Sequence, residues 1–243
     1  MLILKHATGI IPARYHSARF PGKPLALING KSMIQRVYES ACTAKNLESV
    51  VVATDDERIL QAAQNFGAEV RMTSPSHRSG TDRVAEVARE TQSPIIINIQ
   101  GDEPLIQGEA IDELVEALQD EDIPMATLAV KEDDMDLLDD SNVVKVVSDE
   151  KSFALNFSRF PLSFPASEYF WRHIGIYGYQ KDFLLKFCRI PPSRREKTEK
   201  LEQLRALENG YRIKIVESSH SPLSVDTPED IIRIENFLKE MNR

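Results

Sequence analysis

The chain predicts an α/β fold, a mainly parallel sheet with helices on both faces, and three observations carry that prediction. Strand-like and helix-like stretches alternate through the first half, the pattern that parallel strands joined by crossover helices require. The stretch "PIIINIQGDEP" (94–104) runs through a fully apolar strand into a polar turn, as expected where both faces of a strand are covered. No linker rich in Pro, Gly or Ser and no internal repeat interrupts the sequence, so residues 1–243 read as one domain.

The elements follow in order. The apolar run from Gly9 to Pro12 is the first strand. Ser32 begins a helix, with Gln35 three residues on to complete a capping box, and Ile34, Val37, Tyr38 and Ala41 repeat at helical spacing. "SVVVATDD" (49–56) is a β-branched strand ending in acids, and "DERILQAAQNFG" (56–67) is a helix stopped by Gly67. "AEVRMTSP" (68–75) is a strand, and "GTDRVAEVARETQ" (80–92) a helix capped by Thr81 or Asp82. The character then changes: "PMATLAV", "NVVKVVS", "FALNFSR" and "HIGIYGY" are strand-like, with few helical patterns between them. Residues 124–180 are therefore expected to form a small mixed-sheet extension, of the kind used for lids or subunit contacts. Alternation resumes with a helix around "EKLEQLRALENG", the strand "YRIKIVE" and a last helix in "DTPEDIIRIENFLKEM", where Thr227 is placed to cap and Pro228 suits the first turn.

Composition narrows the function. The chain is 42% hydrophobic and 28% charged, with a formal charge of −8 and a pI near 5.3, which argues against a general polyanion binder and hence against nucleic acid. Lys5 and His6 interrupt the N-terminal apolar stretch, and no apolar run approaches the roughly 18 residues of a membrane span. A cytoplasmic protein without a membrane partner is expected. Cys42 and Cys188 fall in apolar, helix-like stretches without metal-ligand spacing, so buried reduced thiols are expected.

In open α/β sheets ligands sit beyond the carboxyl ends of the strands, and the informative residues cluster there. "PARYHSARFPGKPL" (12–25) carries Arg14, Arg19 and Lys23, stiffened by Pro21, Gly22 and Pro24. Gln100, Gly101 and Asp102 follow the central apolar strand, and Asp226 follows "LSV". A basic loop on an acidic protein suits a small anionic ligand. A nucleoside triphosphate, with about four negative charges, asks for basic side chains, backbone N–H groups and usually Mg²⁺ held by carboxylates. "NGKS" (29–32) is not a Walker A loop, because Leu25 stands where its first Gly belongs, and no G-x-G-x-x-G follows a strand. Each motif also has a plainer reading: a solvated basic loop, a helix start at "VDTPED", a simple turn at "QGDEP", a core histidine at His173, and solvated surface at "KEDDMDLLDD" (131–140). Their joint occurrence is what favours a site.

These residues lie within longer matching stretches. "IIPARYHSARFPGKPLALINGKSMI", "VVATDDERI", "MTSPSHRSGTDRVAEV", "INIQGDEPLI", "ALNFSR", "HIGIYGY", "LEQLRALENG" and "VDTPEDI" together resemble the 3-deoxy-manno-octulosonate cytidylyltransferases, a family of sugar nucleotidyltransferases with a Rossmann-type, GT-A-like fold. The resemblance runs along nearly the whole chain. It implies transfer of CMP from CTP to the anomeric hydroxyl of 3-deoxy-D-manno-octulosonate (Kdo), with release of pyrophosphate, for lipopolysaccharide biosynthesis, and a homodimer. By the same resemblance Ala13 and Arg14 lie at the nucleotide, and Arg19 and Lys23 at its triphosphate. Ser79, Gly80 and Thr81 lie at the cytosine and ribose end, with Gln100 in the site. Asp102 and Asp226 resemble the family's Mg²⁺ ligands. His173, Tyr177, Glu202 and Gln203 fall where the family meets the sugar acid, with Arg159 near it.

One stretch departs from the family. "FPLSFPASEYFWR" (160–172) is shorter than the usual connection and has only Arg172 as a basic residue, which leaves the partner of the sugar's carboxylate open. The alternatives are 8-amino-Kdo or another acidic keto-sugar as acceptor, or a catalytically silent nucleotide-binding homologue.

Overall fold

Residues 6–16, 20–162, 169–219 and 223–241 are described by the computed structural model. The strands are β1 (Ala7–Ala13), β2 (Leu27–Ile28), β3 (Lys31–Ser32), β4 (Leu47–Thr54), β5 (Glu69–Met72), β6 (Ile95–Asn98), β7 (Met125–Glu132), β8 (Lys145–Ser148), β9 (Ala154–Ser158), β10 (Phe170–Gln180) and β11 (Ile213–Glu217). The α-helices are α1 (Met33–Ala41), α2 (Glu57–Asn65), α3 (Gly80–Ala88), α4 (Gly108–Ala117), α5 (Lys181–Phe187), α6 (Arg194–Glu199), α7 (Leu204–Glu208) and α8 (Pro228–Met241). The main sheet has the order β11-β7-β10-β6-β1-β4-β5, with β8 and β9 attached beside β10. β1 pairs in parallel with β4 and β6, β4 with β5, and β7 with β11; β10 runs antiparallel between β6 and β7.

Period-two burial explains why the central strands are mostly apolar. Ile11, Val50, Val52, Ile95 and Ile97 pack with residues of α1, α2 and α4, whereas Ile10, Val51 and Ile96 pack on the opposite face with α3, α5 and α7. Successive side chains of a strand point to opposite faces, so a strand between two helical layers needs an apolar residue at every position.

The structure corrects several expectations. Within residues 124–180 a small antiparallel extension is present, formed by β8 and β9 on the flank of β10, but it is smaller than the whole stretch, because β7 and β10 lie in the main run of the sheet. The aliphatic and aromatic density of β7 and β10 belongs to a two-faced core rather than to a peripheral sheet. α3 is capped by Ser79, not by Thr81 or Asp82: Ser79 Oγ accepts from Asp82 N at 3.1 Å, and Asp82 reaches back to Ser79 N at 3.3 Å. Thr81 is already inside the helix and buried. Ser32 does cap α1, but Gln35 turns its amide to Glu39 at 2.9 Å rather than completing a box. At α8 the reaching group is Asp230, whose carboxylate accepts from Asp226 N, Thr227 N and the Thr227 hydroxyl.

"EKLEQLRALENG" is not one helix. Lys200 adopts φ 54°, which ends α6, and a turn precedes α7. Cys42 is exposed rather than buried, since it lies past the last buried turn of α1. Cys188 is partly buried, and burial pushes its thiol up to about 12.

Candidate active site

The parallel strands β1 and β6 end side by side, and their last residues meet the turn that follows Gly22. Pro12, Ala13, Arg14 and His16 from the end of β1, Lys23 and Pro24, and Gln100, Gly101 and Asp102 line an open cavity of about 350 Å³. Close backbone approach shapes it: a Cβ on Gly101 would stand 3.1 Å from the Pro12 carbonyl oxygen, and one on Gly80 would stand 3.3 Å from Pro12 Cγ. The N-terminus of α3 is thereby drawn against the end of β1.

Lys23 holds the cavity's charge together. Its Nζ donates to Asp102 Oδ2 at 2.8 Å and to the Val225 carbonyl at 2.7 Å, and lies 3.9 Å from Asp226 Oδ1. Val225 N donates to the Asp102 carbonyl at 2.9 Å, so the segment before α8 is stitched directly to the loop after β6. Beneath it, Ile28, Met33, Val225 and Ile234 form a separate small core. Residues 23, 102 and 226, far apart in the chain, converge because that core docks α8 against β2 and α1.

Behind Asp102, Glu103 is 9% exposed and its Oε2 has no hydrogen-bond partner among the described residues. Burial, and then the Asp102 charge beside it, push its carboxyl up to about 8. Arg14 is exposed at the rim. Arg19 lies outside the described residues.

A row of polar side chains leads away from the cavity. Gln100 Nε2 donates to Asn98 Oδ1 at 3.2 Å, Asn98 Nδ2 to Thr81 Oγ1 at 3.4 Å, and the Thr81 hydroxyl to Glu202 in a close contact. Burial raises the Glu202 carboxyl, opposed by the Thr81 hydroxyl and by Arg205. Gln203 is 2% exposed with Nε2 unpartnered among the described residues.

His173 and Tyr177 flank an irregularity in β10, between Ile174 and Tyr177, just past the end of β6. Bulges of this kind re-aim side chains beside functional sites. Thr127 ties it down: its one hydroxyl proton goes to the Ile176 carbonyl at 2.7 Å, which leaves the oxygen to accept from His173 Nε2 at 3.0 Å. The His173 ring meets Phe157 edge-on at 5.1 Å and Tyr177 at 5.4 Å. Desolvation there, then the Arg159 charge, push the imidazole down to about 3; desolvation also raises the Tyr177 hydroxyl.

The sequence-predicted residues thus fall into two groups. Ala13, Arg14, Lys23, Gln100 and Asp102 line the cavity, and Asp226 joins them through Lys23; Glu202 meets Thr81 beside the Ser79-capped end of α3, and His173 meets Tyr177. Arg159 and Arg172 are committed elsewhere: Arg159 donates to the Glu199 and Ser141 carbonyls at 3.0 Å each, and Arg172 to Glu132 at 3.0 Å. Sequence reasoning missed Asn98, whose signal was a lone amide in an apolar strand, and Thr127, which gave none.

Among the described residues, no group of three or more His, Cys, Asp or Glu is placed to hold a metal by itself. Asp102 and Asp226 bring two carboxylates to Lys23 Nζ, at 2.8 and 3.9 Å, with side chains 33% and 42% exposed. That set fits Mg²⁺, which takes one or two carboxylates and completes its shell with phosphate oxygens and water. None of the helices among the described residues is long and apolar enough to cross a membrane.

An α/β sheet with a cationic loop and paired acids at its strand ends is the architecture of a nucleotidyltransferase. The chain belongs to the cytidylyltransferase family, whose model matches residues 8–215. It is similar to the 3-deoxy-manno-octulosonate cytidylyltransferase of Syntrophotalea carbinolica, at 51% identity over 96% of this chain and 98% of the relative. The protein of the same name from Solibacter usitatus is 52% identical, over 95% of this chain and 94% of its own length. A solved structure of CMP:2-keto-3-deoxy-manno-octonic acid synthetase complexed with CTP superposes with a TM-score of 0.92 at 39% identity, covering 97% of this chain and 99% of that one. A cytidylyltransferase from Leptospira borgpetersenii, 18% identical with a TM-score of 0.67 over 97% of this chain and 87% of its own, shares the fold.

Proposed function

We propose that the chain transfers CMP from CTP to the anomeric hydroxyl of Kdo, releasing pyrophosphate and supplying CMP-Kdo for lipopolysaccharide biosynthesis. The observation that carries this reading is the meeting of Lys23 with Asp102 and Asp226 at the cavity, in a chain about half identical to Kdo cytidylyltransferases along its length.

Each residue then has a task. Arg14, Arg19 and Lys23 take the triphosphate, with Ala13 beside it. The α3 end formed by Ser79, Gly80 and Thr81 takes the ribose and cytosine, with Gln100 between base and reacting centre. His173, Tyr177, Glu202 and Gln203 position the sugar acid, and Arg159 supplies positive potential there while bonded to carbonyls. The acceptor hydroxyl attacks the α-phosphorus as the bond to pyrophosphate breaks, so catalysis is mostly alignment and charge neutralisation. Neutral His173, whose Nε2 proton is engaged by Thr127, offers Nδ1 as a hydrogen-bond acceptor to a sugar hydroxyl, and its suppressed basicity keeps it from serving as the base. Asp102 and Asp226 would hold Mg²⁺, and the ion would supply charge neutralisation at the phosphates and a lowered pKa for the attacking hydroxyl. Lys23, which bridges the two acids, brings its positive charge to the phosphates beside them.

The chain works as one catalytic unit, in the cytoplasm, as a homodimer; the free cysteines agree with a reducing compartment. Offering CTP with Kdo, 8-amino-Kdo or N-acetylneuraminate in separate reactions tests the acceptor. A CMP-sugar from Kdo well ahead of the others is expected, and preference for either of the others would replace the reading.

A further inference from the structure

The loop that carries Arg14 and Lys23 is closed at its neck by residues outside the cavity. Gly22 N donates to the Tyr15 carbonyl at 2.8 Å, which joins the two ends of the loop. Gly22 sits at φ +73°, and a Cβ there would stand 3.2 Å from Cε2, Cζ and Oη of Tyr15. The tyrosine ring therefore rests on the glycine, in a contact that a Cβ would crowd, at a positive φ that side chains rarely adopt.

The same ring is covered from α2. The Arg58 guanidinium carbon lies 3.2 Å from the Tyr15 ring centroid, a cation–π contact at stacking distance. Asp56 holds the guanidinium by a two-point fork, Nε to Oδ1 at 2.9 Å and Nη2 to Oδ2 at 2.6 Å. Asp56 is also the N-cap of α2, accepting from Arg58 N at 3.0 Å. The guanidinium is thus fixed to a helix end that is itself seated by the buried Ile59 and Ala63.

We propose that Arg58, oriented by Asp56, clamps Tyr15 onto Gly22 and so makes Arg58 a positioning residue for the nucleotide's phosphates, acting through the loop without touching the ligand. A loop held in its binding conformation before the ligand arrives loses less freedom on binding. The clamp sets affinity for CTP, and the chemistry at Asp102 and Asp226 is left alone. The proposal rests on the reading of this loop as the triphosphate site.

Arg58→Gln and Arg58→Lys test it, because Arg58 is exposed and its loss removes no core contact. Two readouts are taken: hydrogen exchange of the Gly22 amide in the ligand-free protein, and KM against kcat for CTP. In Arg58→Gln the amide exchanges faster and KM for CTP rises about three- to tenfold, with kcat near wild type. Arg58→Lys keeps the charge but not the planar fork, and falls between. Gly22 exchange that stays as in wild type in both variants overturns the clamp. So does an unchanged KM, or a fall in kcat at unchanged KM. Failure of the underlying functional reading looks different, since the wild-type protein itself would then not turn over CTP, while Gly22 exchange would still report on the clamp.

Discussion

Lys23 shows how a single side chain organises the site. An ammonium between two carboxylates from distant segments neutralises charge that would otherwise oppose docking of the segment before α8. His173 illustrates the opposite environment, in which desolvation keeps a titratable ring neutral. Its folded-state pKa of about 3 lies below the ordinary 6.5, so below pH 6.5 the unfolded chain binds the extra proton and folding loses stability as pH falls toward 3. At pH 5 that loss is at most about 2 kcal/mol. Urea unfolding at pH 7 and pH 5 should show a smaller pH dependence in His173→Gln than in wild type. Equal dependence in both proteins would remove His173 from the account. At this scale the sequence was most legible where charge had to be matched: Arg14, Lys23, Asp102 and Asp226 stand out as loop residues at strand ends. Glu103 and Thr127 did not, because their importance comes from burial beside another element, which no local pattern encodes.

The elements place these groups through close approaches at glycine. Gly108 begins α4 where a Cβ would meet Thr43 Oγ1 at 2.5 Å and Ala44 N at 2.6 Å, so the helix seats directly against the turn after α1. Gly108→Ala forces that turn away and should cost about 1–3 kcal/mol, in the range of overpacked interiors. Thermal unfolding checks it, and a melting temperature equal to wild type would show that the turn yields freely. The nine strands of the main sheet and the first three helices were readable from periodicity, as was Gly67 at the end of α2, whereas the short β2 and β3 and the helices α4 and α5 drew no expectation. The Ser79 cap was not, because Thr81 and Asp82 are equally good capping residues and only the buried contact of Thr81 with Glu202 decides between them. The break at Lys200 was hidden for a related reason. Helix-forming residues continue through it, and the left-handed turn serves to place Glu202 and Gln203 rather than to satisfy local preference.

Over the whole molecule, one antiparallel strand makes the site two-sided. β10 enters between β6 and β7, and its first half carries His173 past the last residue of β6. The sequence showed a strand in "HIGIYGY" but not its insertion into the main sheet, because strand order is set by long-range pairing. On the proposed reading, this junction joins CTP to Kdo using Asp102. Pyrophosphate release from CTP, Kdo and Mg²⁺, measured for wild type and for Asp102→Asn with the fold checked by circular dichroism, tests it most directly. Wild type is predicted to release one pyrophosphate per CMP-Kdo formed and Asp102→Asn essentially none, whereas near-normal turnover in the folded variant would show that the reaction does not depend on Asp102.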